Sequence, residues 1–350
     1  MHMSDALISP LVGGAFWVVA AGSVSLAGRG GHRVAVPVAG MGGDTPAGEE
    51  GIDPSAPLVG LMGAFVFAAQ MVNFAIPGTG SSGHLTGGLL LALLLGPRQA
   101  LLAMTALITI QALFFADGGL LALGCNIVNM GVIPCLVVYP LAFRPLAGGA
   151  RPASTRWRVA LYLSALLALL LGAAGVVLAT TLSGMGSLPW RPFAVVMLGI
   201  HLAIGLVEGA VTVGVAEYAL RAGLLRPDAI TPTAPPRPAI GAILAVTLLL
   251  AGVGSWFAAT APDGLAWSVD RVAGKLQAPA GGLHATAAHL QERVALMPEY
   301  GASQPWGVPD VKKSGAGLLG GMLTLFVAAG LSWLIRQRRE KDPAVMHDQG

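Results

Sequence analysis

The chain has 350 residues, of which 55% are hydrophobic and 11% charged, and its net charge is +3. Soluble globular domains carry roughly 25% charged residues, so this composition predicts a protein whose surface faces lipid. The sequence contains no G-x-x-x-x-G-K-[ST] motif, no H-E-x-x-H motif and no cysteine pair at zinc spacing. We therefore expect neither an ATPase, nor a soluble enzyme, nor a nucleic-acid-binding protein.

Nine apolar segments follow one another along the chain, and most are long enough to cross a hydrocarbon core of about 30 Å as helices. They cover residues 10–28, 57–75, 85–96, 98–116, 119–143, 158–182, 193–221, 239–259 and 316–335. The third would rise only about 18 Å as a helix, and it follows a Gly/Ser-rich stretch. Irregular backbone at membrane depth must be buried in protein or line a wet cavity, so we expect His84 to lie on a recessed loop.

Basic residues are distributed unevenly between the predicted loops. With the N-terminus outside, 14 of the 20 Lys and Arg residues fall on the cytoplasmic side and 6 on the outer side. Five of those six lie in the long loop 260–315, where charge has less influence on topology. The sequence thus predicts an all-α membrane protein with about nine transmembrane helices, its N-terminus outside and its C-terminus in the cytoplasm.

A Pro-rich stretch separates two blocks of predicted spans. Residues 226–238 read RPDAITPTAPPRP, which is typical of a linker. We predict a first block over residues 1–225 with about seven spans. A second block over residues 239–350 would have two spans and an extracytoplasmic loop. The Gly/Pro-rich segment 29–56 is predicted to be a cytoplasmic loop.

The N-terminus offers several nitrogen donors in one short arm. Met1 contributes an α-amine, and His2 contributes a backbone nitrogen and an imidazole. Such donors suit metals that favour square-planar sites, Ni(II) or Cu(II), and His84 on the same outer side could fill the fourth position. On these residues alone, a chance His at position two and an ordinary polar loop His are the simpler interpretation.

Polar residues near these positions are candidates for supporting roles. Asn73, Thr79, Ser81 and Ser82 stand in the Gly-rich loop and are predicted to orient His84. Other polar residues lie within apolar segments, where they either make a structural contact or take part in transport or coupling. These are Asp117, Asn126, Asn129, His201 and Glu208.

Two other functions fit parts of the same sequence. The string GSSG at 80–83 matches the G-x-S-G signature of intramembrane serine proteases, with Ser82 as nucleophile and His201 as base. Gly/Ser loops often produce this string. Glu208 inside a span would suit an ion-coupled secondary transporter. A protease predicts labelling of Ser82 by a fluorophosphonate, and a secondary transporter predicts uptake without any ATPase.

Four stretches of the sequence resemble, in order, the CbiM/NikM proteins, the substrate-binding membrane components of energy-coupling-factor transporters for cobalt and nickel. They are MH at the start, NFAIPGTGSSGHLTGGLLLALLLGP, FADGGLLALGCNIVNMGVIP and HLAIGLVEGAVT. PDGLAW at 262–267 and MPEYG at 297–301 resemble the two-span accessory N component, with Ala266 where its PDGLE signature has Glu. The chain therefore resembles a fused NikMN-type protein.

The resemblance implies a site, a substrate and partners. The ligands would be the Met1 amine, the His2 backbone nitrogen and imidazole, and the His84 imidazole. Ni(II) or Co(II) would be the transported substrate and not a cofactor. A transmembrane T component and separate cytoplasmic ABC ATPases would be the partners, so this chain would not itself be an enzyme. The implied location is the cell membrane of a prokaryote, which the chain would cross several times.

Overall fold

The computed structural model describes residues 1–29, 56–185, 188–225, 237–274, 276, 278–301 and 306–340. The predicted linker and the predicted cytoplasmic loop fall almost entirely outside these ranges. Within them the fold is helix packed on helix. The helices are α1 Pro10–Arg29, α2 Ala56–Gln70, α3 Gly88–Leu95, α4 Pro97–Phe115, α5 Leu123–Ala147, α6 Thr155–Ser183, α7 Trp190–Arg221, α8 Arg237–Gly252, α9 Gly264–Ala273, α10 Gly282–Val294 and α11 Val311–Glu340.

Six helices among the described residues are long and apolar enough to cross a membrane, namely α1, α4, α5, α6, α7 and α11. The shorter helices α2 and α8 are also apolar. The predicted helical membrane fold is confirmed, while the count of nine spans and the orientation stay predictions. The short apolar segment 85–96 contains α3, whose eight residues are all buried, so protein encloses this part of the chain as expected.

Local sequence signals explain several helix boundaries. The Ser154 side chain accepts a hydrogen bond from the Trp157 amide and so caps the start of α6. The same helix ends at Gly184, whose φ of +57° suits glycine. Pro97 begins α4 at a position where its missing N–H costs nothing. Each of these helices therefore begins or ends where the sequence carries a cap or a breaker.

The loop between α2 and α3 contains a short hairpin that the sequence analysis did not predict. Strands β1 Phe74–Ile76 and β2 Ser81–Gly83 pair antiparallel, with Ala75 opposite Ser82. Gly78 and Gly80 in the turn both have a φ of +76°, a conformation that glycine adopts without strain. The hairpin leaves His84 directly after β2 and a few residues before α3.

The second block packs against the first through α11 and α2. A Cβ at Gly60 would overlap the carbonyl of Leu325, and a Cβ at Gly320 would overlap the ring of Phe67. Small residues allow helix backbones to approach closely in lipid, where no hydrophobic effect drives helices together. The predicted second block is thus attached to the first by a glycine-dependent helix contact.

Candidate metal site

The first residues form an arm that is fixed to the start of α5 and to the segment just before it. The Met3 amide donates to Asn126 Oδ1 at 2.8 Å, and the Met3 carbonyl accepts from Asn126 Nδ2 at 3.2 Å. Gly119 N donates to the same carbonyl at 2.9 Å. Asp5 Oδ1 accepts from the Ala122 amide at 2.9 Å. Asn126, a candidate of uncertain role in the sequence, therefore holds the N-terminal arm in place.

The arm places His2 against His84. The two imidazole rings are stacked, with centroids 5.4 Å apart and ring planes 22° apart. Beside the His84 ring and Met1 lies a cavity of about 10 Å³, which is room for roughly one water-sized particle. Its lining includes Met1, His84, Thr86, His201, Ile204 and Asp263. The structure therefore brings together the three residues that the sequence proposed as ligands.

Both imidazoles are kept in the neutral form that a metal ligand requires. Burial lowers the pKa of His2 below its usual value, against the opposing effect of the Asp117 charge. Burial, followed by the Met1 ammonium and His2, lowers the pKa of His84 to about 4. At neutral pH each ring therefore keeps a nitrogen lone pair for a cation.

A chain of amide side chains orients the His2 ring. His2 Nε2 lies 2.9 Å from Gln111 Oε1, and Gln111 Nε2 donates to Gln70 Oε1 at 2.7 Å. Gln70 Nε2 in turn donates to the Thr86 carbonyl at 2.8 Å. A carbonyl can only accept, so both amides are oriented and Gln111 presents an oxygen to His2. The proton of the neutral His2 ring therefore lies on Nε2, and Nδ1 keeps its lone pair.

The main chain and a buried carboxylate orient His84. Its Nδ1 lies 2.9 Å from the Leu85 carbonyl, so Nδ1 carries the proton and Nε2 carries the lone pair. Glu208 on α7 fixes the next turn of the chain, because its Oε1 accepts from the amides of Thr86 and Gly87 at 3.2 and 3.1 Å. The Thr86 hydroxyl bonds to the same oxygen. Glu208 thus supports the loop that carries His84.

The loop residues predicted to orient His84 make other contacts. Thr79 Oγ1 and Ser81 Oγ bond to each other at 3.2 Å within the hairpin. The Ser82 hydroxyl donates to a carbonyl of the second block at 2.7 Å, and the Asn73 carbonyl accepts an amide of that block at 2.8 Å. Among the described contacts, none of these four residues bonds to His84.

The structure does not assemble the pair that a serine protease needs. The Ser82 hydroxyl donates to the Ala261 carbonyl at 2.7 Å, and His201 Nδ1 lies 2.7 Å from the Met197 carbonyl. A catalytic serine must be within hydrogen-bond reach of its base. In the described part of the chain these two side chains bond to backbone carbonyls and not to each other.

Residues of the second block also contact this site. Asp263 Oδ2 forms an ion pair with the Met1 amine at 3.1 Å, and Asp263 Oδ1 accepts from the Ala266 amide at 2.8 Å at the start of α9. Tyr300 donates its hydroxyl to Asp117 Oδ2 at 2.6 Å. Burial acts to raise the pKa of Asp263, but the Met1 ammonium and the Ala266 amide outweigh it and hold that pKa below its usual range. Asp263 is therefore a charged carboxylate beside the amine.

Four residues of this site were missed by the sequence analysis: Gln70, Gln111, Asp263 and Tyr300. Gln70 and Gln111 are amides in otherwise apolar helices, the same signal that drew attention to Asn126 and Asn129. Asp263 and Tyr300 lie in the PDGLAW and MPEYG stretches, which were noted without assigning either side chain a role. By contrast, Asn129 donates to Cys125 within α5 at 3.2 Å and takes no part in holding the arm.

The described residues contain no group of three or more His, Cys, Asp or Glu side chains placed to hold a metal. The candidate site differs from such clusters because part of its donor set belongs to the main chain. The Met1 amine and the His2 backbone nitrogen would be metal ligands in place of side chains. A membrane protein with a nitrogen-rich site at its N-terminus is the class that the fold and this geometry define.

Family comparisons place the chain within that class. Residues 2–224 match the CbiM family, described as the cobalt uptake substrate-specific transmembrane region, and residues 237–337 match the PDGLE domain. The chain belongs to the CbiM family and carries a fused PDGLE domain. The resemblance to a fused NikMN-type component is thereby confirmed.

Two curated relatives and one solved structure are similar to this chain. A putative metal transport protein of Haloquadratum walsbyi is 38% identical over 232 residues, which are 66% of this chain and 93% of the relative. A putative fused nickel transport protein NikMN of Archaeoglobus fulgidus is 39% identical over 198 residues, which are 55% of this chain and 63% of the relative. A crystal structure of a truncated transition metal transporter has 25% identity and a TM-score of 0.45, and the match covers 63% of this chain and 99% of that one.

Proposed function

We propose that this chain is the substrate-specific membrane component of an energy-coupling-factor transporter that imports Ni(II) or Co(II). One observation carries the proposal: the N-terminal arm stacks the His2 ring on His84, and Met1 and His84 line a cavity of single-ion size. The membership of the CbiM family and the metal-transport names of the relatives support the same conclusion.

The proposed ligand set consists of four nitrogens. The Met1 amine, the His2 backbone nitrogen and His2 Nδ1 belong to one continuous stretch of chain and can chelate a single ion once the Met1 ammonium and the His2 amide have each released a proton to solvent. His84 Nε2 supplies the fourth nitrogen, because the Leu85 carbonyl occupies Nδ1. Nitrogen donors accept either metal, and a square-planar arrangement favours Ni(II).

The proposed transport cycle needs partners that this chain does not contain. The metal is captured on the outer side, in keeping with the nine-span, N-outside topology proposed from the basic residues. A transmembrane T component and cytoplasmic ABC ATPases then use ATP to reorient the chain and release the metal. The proposed location is the prokaryotic cell membrane, and the metal is a substrate and not a cofactor.

Calorimetric titration of the purified full-length chain with Ni(II) and with Co(II) tests the site. Two residues added ahead of Met1 turn the Met1 amine into a second backbone amide and move the free amine away from His84, so we expect high-affinity binding to disappear. His84→Ala is expected to have the same effect. His201→Ala is the control, because His201 lines the cavity but lies on α7, and the four proposed nitrogens already complete a square-planar set without it. An extended chain that binds as tightly as the original would exclude this ligand set.

A further inference from the structure

The second block contacts the N-terminal chelating arm at Met1, and it reaches the surroundings of His2 through Asp117. Asp263 contacts the Met1 amine directly at 3.1 Å. Tyr300 contacts Asp117, whose other oxygen lies 3.3 Å from His2 Nδ1. The two blocks are also joined elsewhere, because α11 packs closely against α2.

We propose that the second block completes the metal site, with Asp263 as the positioning residue of the Met1 amine and Tyr300 as the residue that holds the Asp117 carboxylate beside His2. The inference rests on the proposed function, since it assigns partners to the ligands named there. Residues that hold metal ligands in orientation commonly contribute 10–100-fold to metal affinity.

The chemistry of an amine explains why a carboxylate belongs at this position. A primary amine that binds a metal through its lone pair keeps two N–H groups, and both can donate to a carboxylate. The contact with Asp263 Oδ2 can therefore persist when the amine becomes a ligand. The carboxylate also places a negative charge beside the position proposed for a dication, where the surroundings are buried and charge interactions are strong.

Contacts other than the one with the amine also hold the segment that carries Asp263. The Ser82 amide donates to the Pro262 carbonyl at 2.8 Å, one residue away. Trp267 Nε1 donates to a hairpin carbonyl at 3.0 Å. A Cβ at Gly264 would lie 3.1 Å from the His201 ring, so glycine allows the segment to press against α7. The loop that carries His84 and the segment that carries Asp263 are thus joined.

Tyr300 is held equally firmly. Its ring stacks on Phe115 with centroids 4.9 Å apart and planes 17° apart. The amides of Leu296 and Met297 both donate to the Phe114 carbonyl, at 2.9 and 3.1 Å. The Tyr300 hydroxyl occupies one oxygen of Asp117 and so determines which oxygen faces His2.

The test compares three full-length variants by Ni(II) titration. Asp263→Asn keeps the shape of the side chain and an oxygen that can cap α9, but it removes the charge. We expect its affinity to fall about 10–100-fold, with thermal unfolding unchanged. Tyr300→Phe keeps the stacked ring and is expected to weaken binding less. Asp270→Asn is the matched control, because Asp270 is exposed on the same helix and its side chain makes no described contact with the site.

A second measurement determines the reactivity of the Met1 amine in the absence of metal. An amine-reactive acylating reagent is applied to the detergent-solubilised chain, and the N-terminal peptide is quantified by mass spectrometry. We expect Asp263→Asn to raise the acylation rate of the Met1 amine several-fold and Asp270→Asn to leave it unchanged. An unaltered rate or an unaltered Ni(II) affinity in Asp263→Asn would overturn the inference. If the original chain bound neither Ni(II) nor Co(II), the proposed function would fail, and the acylation rates would still decide the role of Asp263.

Discussion

The proton on His2 is positioned by an amide that lies 109 residues away in sequence. Gln111→Ala removes the acceptor that keeps this proton on Nε2. The proton can then move to Nδ1, which removes the lone pair that would bind the metal. The substitution also leaves Gln70 with a buried, unpaired oxygen. We predict that Gln111→Ala weakens Ni(II) binding about 10–100-fold, measured by calorimetry on the purified chain.

Gln99→Ala is the matched control on the same helix. Gln99 Oε1 accepts from Ser332 at 3.1 Å, so this substitution removes a buried amide contact without touching the His2 chain of amides. Binding that is equally weak in both variants would show that α4 had been disturbed as a whole. Unchanged binding in Gln111→Ala would show that the amide chain has no role in metal capture.

At the scale of single residues, the sequence predicted the nitrogen donors of the metal site but not the residues that orient them. Met1, His2 and His84 could be named because nitrogen donors at a chain terminus and on a Gly-rich loop are visible one residue at a time. Gln70 and Gln111 could not be assigned, because their role depends on contacts between residues far apart in the chain. Asn126 was recognised as a polar residue in an apolar segment, but its bond to the Met3 backbone appears only in the folded chain.

The N-terminal arm depends on the close approach of Asp5 to Gly119. A Cβ at position 119 would overlap the Asp5 carboxylate and its backbone nitrogen. We predict that Gly119→Ala displaces the arm, destabilises the chain by about 1–3 kcal/mol and weakens Ni(II) binding. Thermal unfolding in detergent and calorimetry measure the two effects.

Gly14→Ala provides the comparison for this prediction. Gly14 lies in α1, and an added Cβ there would meet nothing within 4 Å. Alanine favours helix over glycine by about 0.5–1 kcal/mol, so this variant should be as stable as the original or slightly more so, with unchanged affinity. Equal losses in the two variants would contradict the importance of the arm contact.

The contact between α2 and α11 carries its own prediction. In Gly60→Ala the new methyl group would collide with the Leu325 carbonyl, which cannot move without its helix. We expect a loss of about 1–3 kcal/mol in unfolding free energy, seen as a lower melting temperature. Gly321→Ala on α11 should have little effect, because nothing lies within 4 Å of the added Cβ. Equal melting temperatures in both variants would argue against a glycine-dependent contact.

Hydropathy was sufficient to find the long apolar helices, because length and apolar composition determine which segments can cross lipid, but it did not find α9 and α10 within the predicted loop 260–315. It could not find the hairpin. Strands β1 and β2 have three residues each, too few for a period-2 pattern to be recognised. The strand Ser81–Gly83 is also composed of Ser and Gly, and its second neighbour, Asp263, lies in the other block.

The orientation of the whole molecule is open to a direct labelling experiment. Cys125 and Cys135, the two native cysteines, are buried, so new surface cysteines give a clean signal. His289→Cys and Arg151→Cys both alter exposed residues. With the basic loops inside, a membrane-impermeant thiol reagent should label position 289 on intact cells and position 151 only after permeabilisation. The reverse pattern would show that the predicted topology is wrong.

The two oxygens of Asp263 serve different halves of the molecule: one begins a helix of the second block, and the other meets the first residue of the chain. Any displacement of that helix therefore also withdraws the partner of the amine. If Asp263 positions the amine as proposed, docking of the two blocks and occupancy of the nitrogen site favour each other by the same factor, because a coupling free energy is reciprocal. A bound ion would then strengthen the association of the two blocks by the same factor as that association strengthens binding of the ion.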